Sequence, residues 1–163
     1  MTEKAQNNSR PIFISEGIFT AISIGFFFVL VGALLATTPN LFGNVLDFFK
    51  SFELADVPNT IIIFPAPTSP STHTVLYQAV AQFSFVLAIF HIVMLALRFF
   101  TQSPWGKRAE TVGNLVYWLG AGFLVQNYLL STPTQWFEFW SLLIIIIGIS
   151  LIARAIVMVA ARF

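Results

Sequence analysis

Four polar side chains recur every seven residues within one long apolar stretch of the sequence. The stretch covers residues 75–100, and the series consists of Tyr77, Ser84, His91 and Arg98. Because seven residues make about two turns of an α-helix, we expect the four side chains on one face of one helix. The stretch is long enough to cross a bilayer, where polar groups are costly against lipid. The spacing therefore predicts a polar stripe that faces other helices, a subunit partner or a water-filled path.

Of the four residues, His91 can take part in the most kinds of chemistry. An imidazole inside a membrane can ligate haem, bind a quinone oxygen or carry a proton. We expect instead that His91 hydrogen-bonds to a neighbouring helix, because polar groups inside membranes commonly join helices. Its candidate partners are Asn114, Tyr117 and Ser150. Haem or quinone binding at His91 stays open as the less favoured alternative, and Arg98 is expected to extend to the membrane surface.

Two pairs of side-chain amides lie near the ends of apolar stretches. Gln78 and Gln82 are four residues apart at the start of one stretch, and Gln126 and Asn127 are adjacent at the end of another. We expect these amides to hydrogen-bond between helices. The alternative is that they line a vestibule that opens outward.

The sequence lacks the residue sets that most enzymes need. It contains no cysteine, and no Asp or Glu lies at the centre of an apolar stretch. Its His and carboxylate residues are too scattered to form a metal site, and no nucleophile has a recognisable partner set. We therefore predict no catalytic residues, no metal and no enzyme activity. A net charge of +1 also gives no reason to expect nucleic-acid binding.

Composition indicates an integral membrane protein. Hydrophobic residues make up 57% of the chain and charged residues only 9%, far below the roughly 25% of soluble domains. We predict an all-α fold in which residues 1–163 form a single membrane domain with four transmembrane helices. The predicted spans are residues 17–37, 75–100, 111–130 and 136–161. All eight prolines lie outside these spans or at their margins.

The segment between the first two spans has a different pattern. Residues 41–54 alternate apolar and polar side chains with helical periodicity, which predicts a short amphipathic helix at the membrane interface. Residues 56–74 contain four prolines, so we expect an irregular external loop there. The apolar run 61–64 within this loop is expected to rest against the membrane, the helices or a neighbouring subunit.

Small residues at helical spacing predict where helices approach closely. In the first span they are Gly17, Ala21 and Gly25, and in the third they include Gly113 and Gly120. Small residues allow close backbone contact inside a membrane, so we assign both sets to helix packing.

The basic residues predict the orientation. With both termini in the cytoplasm, seven of the eight lysines and arginines lie on the inner side and only Lys50 lies outside. Such an excess of inner positive charge is typical of multi-pass membrane proteins.

These patterns favour a non-catalytic, four-span subunit that packs and stabilises a larger membrane protein assembly. Its partners would be the bilayer and either other subunits or copies of itself, and a structural lipid remains open as a bound molecule. The alternative is a homo-oligomeric channel or small-solute pore lined by the polar stripe. A lesser alternative is a subunit that holds a redox cofactor through His91.

Overall fold

A computed structural model of the chain describes residues 16–162, which form a mostly helical protein with one β-hairpin. The helices are α1 (Glu16–Thr37), α2 (Leu41–Lys50), α3 (Thr74–Phe100), α4 (Trp105–Leu124) and α5 (Trp136–Ala160). A 3₁₀ turn, Pro70–His73, precedes α3, and a π-helical turn, Val125–Leu129, extends α4. The hairpin consists of β1 (Phe52–Asp56) and β2 (Ile63–Pro67).

Within this described part, three helices are long and apolar enough to cross a membrane. They are α1, α3 with its preceding 3₁₀ turn, and α5. The bounds of α1, α3 and α5 themselves, without the 3₁₀ turn, lie within one residue of the predicted spans 17–37, 75–100 and 136–161. Each is a continuous apolar run without an internal proline, so the helix continues until the sequence changes character.

The helix predicted over 111–130 has different bounds. α4 begins at Trp105, directly after Pro104, and ends at Leu124 before the π-helical turn. Proline is favourable just before or at the first turn of a helix, because no amide hydrogen is needed there. The early start places Lys107, Arg108 and Glu110 in the first two turns of α4. Membrane crossing by α4 stays a prediction.

The prediction of an all-α chain is wrong between α2 and α3. The helix expected over 41–54 ends at Lys50, and β1 follows it. The loop expected to be irregular over 56–74 contains β2, which pairs antiparallel with β1, and the 3₁₀ turn. Asn59, with a left-handed φ of 59°, lies in the turn that joins the strands.

The prolines of β2 occupy positions that need no amide hydrogen for pairing. Thr68 donates its backbone N–H to the carbonyl of Ser51 across the hairpin, at 2.8 Å. Because alternate residues bond to the partner strand in an antiparallel pair, Ala66 also lies at a bonded position. Pro65 and Pro67 fall between the bonded positions, opposite Leu54 and Phe52. Their missing amides therefore cost the hairpin nothing.

The long helices form a packed group of three with α1 attached at its side. α4 packs against both α3 and α5, whereas α3 and α5 make few direct contacts. Gly113 lets α5 approach closely, because a Cβ at that position would lie 3.2 Å from the carbonyl oxygen of Ser150. α1 touches mainly α3, where the rings of Phe26 and Phe90 stack with centroids 4.1 Å apart. α1 is thus held along one neighbour rather than enclosed in a four-helix bundle.

The main core lies at the end of the helices that carries the hairpin, which we call the hairpin end. Trp136 at the start of α5 is 4% exposed, and its indole N–H donates to the carbonyl of Pro65 at 3.3 Å. The rings of Phe48 and Phe52 lie against this indole, with centroid distances of 6.0 and 5.8 Å. Trp136 therefore joins α2, both strands and α5.

Candidate functional site

Charged residues gather at the opposite end of the helices, which we call the basic end. Arg98 lies in the last turn of α3, and Lys107 and Glu110 lie in the first turns of α4. Arg154 belongs to the same end, because its Cβ lies 3.4 Å from where a Cβ on Gly113 would stand. Glu16, at the start of α1, contacts Arg98. The alternating direction of the helices brings these distant residues together.

A cavity of about 230 Å³ opens between α1, α3 and α4 at the basic end. We call it the Arg98 cleft. Its polar lining comes from all three helices, namely Thr20 and Ser23 of α1, His91 and Arg98 of α3, and Lys107, Glu110, Thr111 and Asn114 of α4. Ile24, Phe90 and Met94 form its apolar side. The cleft holds two residues of the predicted stripe, His91 and Arg98.

Arg98 is the most enclosed charged group of the cleft. Its side chain is 10% exposed, and Nη2 lies 3.3 Å from a carboxylate oxygen of Glu16. The pair attracts electrostatically but is not aligned as a hydrogen bond. The guanidinium also lies 5.3 Å from the ring centroid of Phe19. Within residues 16–162, Nε and Nη1 of Arg98 are buried and have no hydrogen-bond partner.

The other two charges of the cleft neutralise one another. Lys107 donates a hydrogen bond of 2.9 Å to Glu110, three residues later on α4. This hydrogen bond lowers the pKa of the Glu110 carboxyl below its ordinary value, an effect that burial partly opposes. Both side chains remain accessible, at 48% and 42% exposure, so the pair is only weakly stabilising.

His91 bonds within its own helix. Its Nδ1 donates to the carbonyl of Leu87, one turn earlier, at 2.7 Å. The expected bonds to Asn114, Tyr117 or Ser150 are not formed among the described residues, and the ring N–H uses a carbonyl of its own helix as a local acceptor instead. Since Nδ1 is the donor, Nε2 of the neutral ring remains an acceptor on a residue that lines the cleft.

Tyr77 and Ser84 lie away from the cleft, inside the protein. Ser84 is 1% exposed, and its hydroxyl donates to the carbonyl of Val80 at 2.8 Å. Tyr77 belongs to the core at the hairpin end, with its ring centroid 6.2 Å from that of Phe48. The predicted stripe is thus an internal face of α3 that ends in a polar cleft.

The two amide pairs do not meet. Gln78 and Gln82 are exposed and line a cavity of about 290 Å³ beside Thr37, Thr38 and Pro39. Gln126 and Asn127 are exposed on the π-helical turn. The side-chain amide of Asn127 donates to the carbonyl of Phe123 at 2.8 Å, again within one helix.

The fold also creates a Ser–His contact that the sequence does not indicate. The hairpin brings Ser51, before β1, within 3.0 Å of Nε2 of His73, after β2. The Ser51 hydroxyl also lies 2.8 Å from the carbonyl of Phe48, to which it can donate. The contact joins the residue that follows α2 to the residue that precedes α3.

Among residues 16–162, no three His, Asp or Glu side chains cluster in a way that could hold a metal ion. Comparison with protein-family models, with curated proteins and with solved structures finds no match to this chain.

Proposed function

We propose that this chain is a non-catalytic membrane subunit that packs and stabilises a larger membrane protein assembly. In this proposal α1, α3, α4 and α5 cross the membrane, α2 lies at its surface and the basic end faces the cytoplasm. The clustering of Arg98, Lys107, Arg108 and Arg154 at one end supports this orientation. The partners are other subunits or further copies of the chain.

The apolar tip of the hairpin carries the proposal. Ile61 and Ile62, in the turn, are 102% and 58% exposed, and Leu54 on β1 is 78% exposed. A two-stranded hairpin has open edges, and unpaired backbone groups are not stable in the hydrocarbon of a bilayer. Lipid is therefore a poor cover for this tip, and water is unfavourable for its apolar side chains. A protein partner satisfies both requirements.

α1 supports the same proposal. A Cβ on Gly25 or Gly32 would meet nothing within 4 Å, although a Cβ on Gly120 would collide with the side chain of Ile146. Gly120 therefore serves packing within the chain, whereas the small residues of α1, including Gly17 and Ala21, lie on exposed surface. In a membrane such a face is suited to close contact with a helix of another chain.

The two alternatives have less support. A conduit between protomers would need the stripe of α3 on the surface, but Tyr77 and Ser84 are 3% and 1% exposed. A haem at His91 would need more room than the cleft of about 230 Å³ offers, since pockets for drug-sized ligands already measure about 300 Å³ or more.

The test is the mass and composition of the particle released by gentle detergent from the native membrane. The double variant Ile61→Ser with Ile62→Ser should reduce the particle to a smaller species, because it removes apolar contacts from the tip. Thr60→Ser, in the same turn, is the matched control and should leave the particle unchanged. A wild-type chain that migrates alone, or a double variant that keeps the full assembly, would contradict the proposal.

A further inference from the structure

We propose that the cavity lined by Gln78 and Gln82 binds an uncharged group rich in hydroxyls, such as the sugar head group of a glycolipid. This space, which we call the amide cavity, lies between the end of α1 and the first turns of α3. Its volume of about 290 Å³ is at the lower limit of ordinary ligand pockets, which suits a single sugar unit. The site is independent of the assembly role and would exist in an isolated chain.

The two glutamines offer the hydrogen bonds that hydroxyl groups need. Both residues are exposed, so their amides are open to a ligand. They are four residues apart on α3, which places them on one face, one helical turn from each other. A side-chain amide carries two N–H donors and a carbonyl acceptor, and a hydroxyl both donates and accepts. Two neighbouring amides can therefore bind neighbouring hydroxyls of one ligand.

The end of α1 supplies mainly acceptors to the amide cavity. The hydroxyl of Thr37 donates to the carbonyl of Ala33 at 2.8 Å, so its lone pairs are what it can offer a ligand. The last turn of a helix also leaves carbonyls without partners inside the helix. The N–H of Thr38 satisfies one of them, the carbonyl of Leu34, at 2.9 Å. A ligand with several O–H donors complements this end of α1.

The charge of the amide cavity favours a neutral ligand over a phosphate. No charged side chain is among the described residues that line it, which are Thr37, Thr38, Pro39, Val75, Gln78, Ala79 and Gln82. A charged group would leave water there without gaining a counter-charge. The C-terminal end of a helix also carries partial negative charge, which repels an anion. Sugar hydroxyls meet neither obstacle.

An apolar crevice beside the amide cavity favours a lipid as the source of the hydroxyls. The crevice measures about 160 Å³, and Ala79 lines both spaces. Its lining is entirely apolar and comes from α1, α2 and α3, namely Leu34, Leu41, Val45, Leu76, Ala79, Val80 and Phe83. An acyl chain can lie against such a surface while its head group occupies the amide cavity. A soluble sugar is the other source and would use the amide cavity alone.

The experiment is native mass spectrometry of the full-length chain in a detergent without a sugar head group. Monogalactosyl diacylglycerol is compared with diacylglycerol and with phosphatidylglycerol of the same acyl chains, and methyl galactoside is added separately as a soluble competitor. Wild-type protein should retain the galactolipid at least about ten-fold better than either other lipid, as expected for two neutral hydrogen bonds. Gln78→Leu and Gln82→Leu should each weaken this preference by about three- to five-fold, and the double variant should remove it.

Gln126→Leu is the matched control, because Gln126 is also exposed but lies on the π-helical turn, outside the amide cavity. It should behave as wild type. Binding of methyl galactoside that is lost in the double variant, without preference among the lipids, would support the site with a soluble sugar as its ligand. Equal retention of the three lipids with no binding of the galactoside would overturn the proposal, and so would a preference for phosphatidylglycerol. A folded double variant that retains the galactolipid as wild type does would also overturn it. Where the double variant fails to fold, the comparison of the single variants with Gln126→Leu decides.

Discussion

Trp136 should be the side chain whose loss most weakens the attachment of the hairpin to the helices. Truncation to alanine removes a side chain that is 4% exposed, its contacts with Phe48 and Phe52, and the hydrogen bond to Pro65. Large-to-small changes of buried aromatic residues cost about 3–5 kcal/mol. We therefore expect Trp136→Ala to lower the free energy of unfolding by about 4 kcal/mol, in the middle of that range.

A milder change keeps part of the packing. Trp136→Phe leaves an aromatic ring in the core but loses the indole N–H that donates to Pro65 at 3.3 Å and part of the buried ring. A neutral hydrogen bond contributes about 0.5–1.5 kcal/mol and the smaller ring leaves a cavity, so the expected loss is about 1–3 kcal/mol. Trp140→Phe is the matched control, because Trp140 is 38% exposed and should tolerate the change within about 0.5 kcal/mol.

Denaturant unfolding in detergent, followed by far-ultraviolet circular dichroism, measures the global effect. Limited proteolysis within the turn of residues 57–62 measures local release of the hairpin, since a detached hairpin exposes its backbone to protease. The order of effects should be Trp136→Ala, then Trp136→Phe, then Trp140→Phe. A Trp136→Ala protein with wild-type unfolding and wild-type cleavage would show that the indole does not hold the hairpin in place.

Three further changes test other parts of the fold. Gly113→Leu should lower the free energy of unfolding by about 1–3 kcal/mol, because a Cβ there would lie 3.2 Å from the backbone of α5. Gly32→Leu, where a Cβ meets open space, should change it by less than about 0.5 kcal/mol. Equal effects of the two changes in thermal unfolding would refute the assigned packing. Ser84→Ala should change thermal stability by less than about 1 kcal/mol, because its hydroxyl bonds only to its own helix, and a larger loss would indicate a partner outside α3. Because the pKa of Glu110 is lowered, its carboxyl binds fewer protons in the folded state than in the unfolded state. The stabilisation that Glu110 contributes is therefore present above about pH 4.5 and is lost as pH falls through the lowered pKa. Lys107→Gln should reduce this acid-dependent loss in unfolding measurements between about pH 3 and pH 6, and an unchanged acid dependence would show that the pair does not contribute.

The bounds of α1, α3 and α5 follow from the sequence because each helix is a local property. A continuous apolar run with proline only at its margins satisfies its own backbone hydrogen bonds and ends where the run ends. The start of α4 is harder to predict from the sequence because its first turns are charged. The hydrophobic pattern that indicates a helix begins only after Glu110. The signal for the true start was Pro104, which is favourable at a helix entry.

The hairpin was missed because its pairing depends on contacts between distant residues. Four prolines over residues 56–74 argue locally against regular structure, and only the alignment of β1 with β2 places Pro65 and Pro67 at positions without a required amide. The contact of Ser51 with His73 has the same origin, since it exists only after the hairpin has closed.

By itself, the sequence determined that this is a strongly apolar, mostly helical chain, and it identified Arg98 and His91 as polar groups on one face of α3. Hydrophobicity and helical period are local quantities, so they can be read along the chain. Only the tertiary structure decided what that face meets: Ser84 is enclosed within the protein, while Arg98 lines a cleft with Glu16 beside it. Burial and electrostatic pairing depend on how separate helices pack, and no spacing within one helix specifies them.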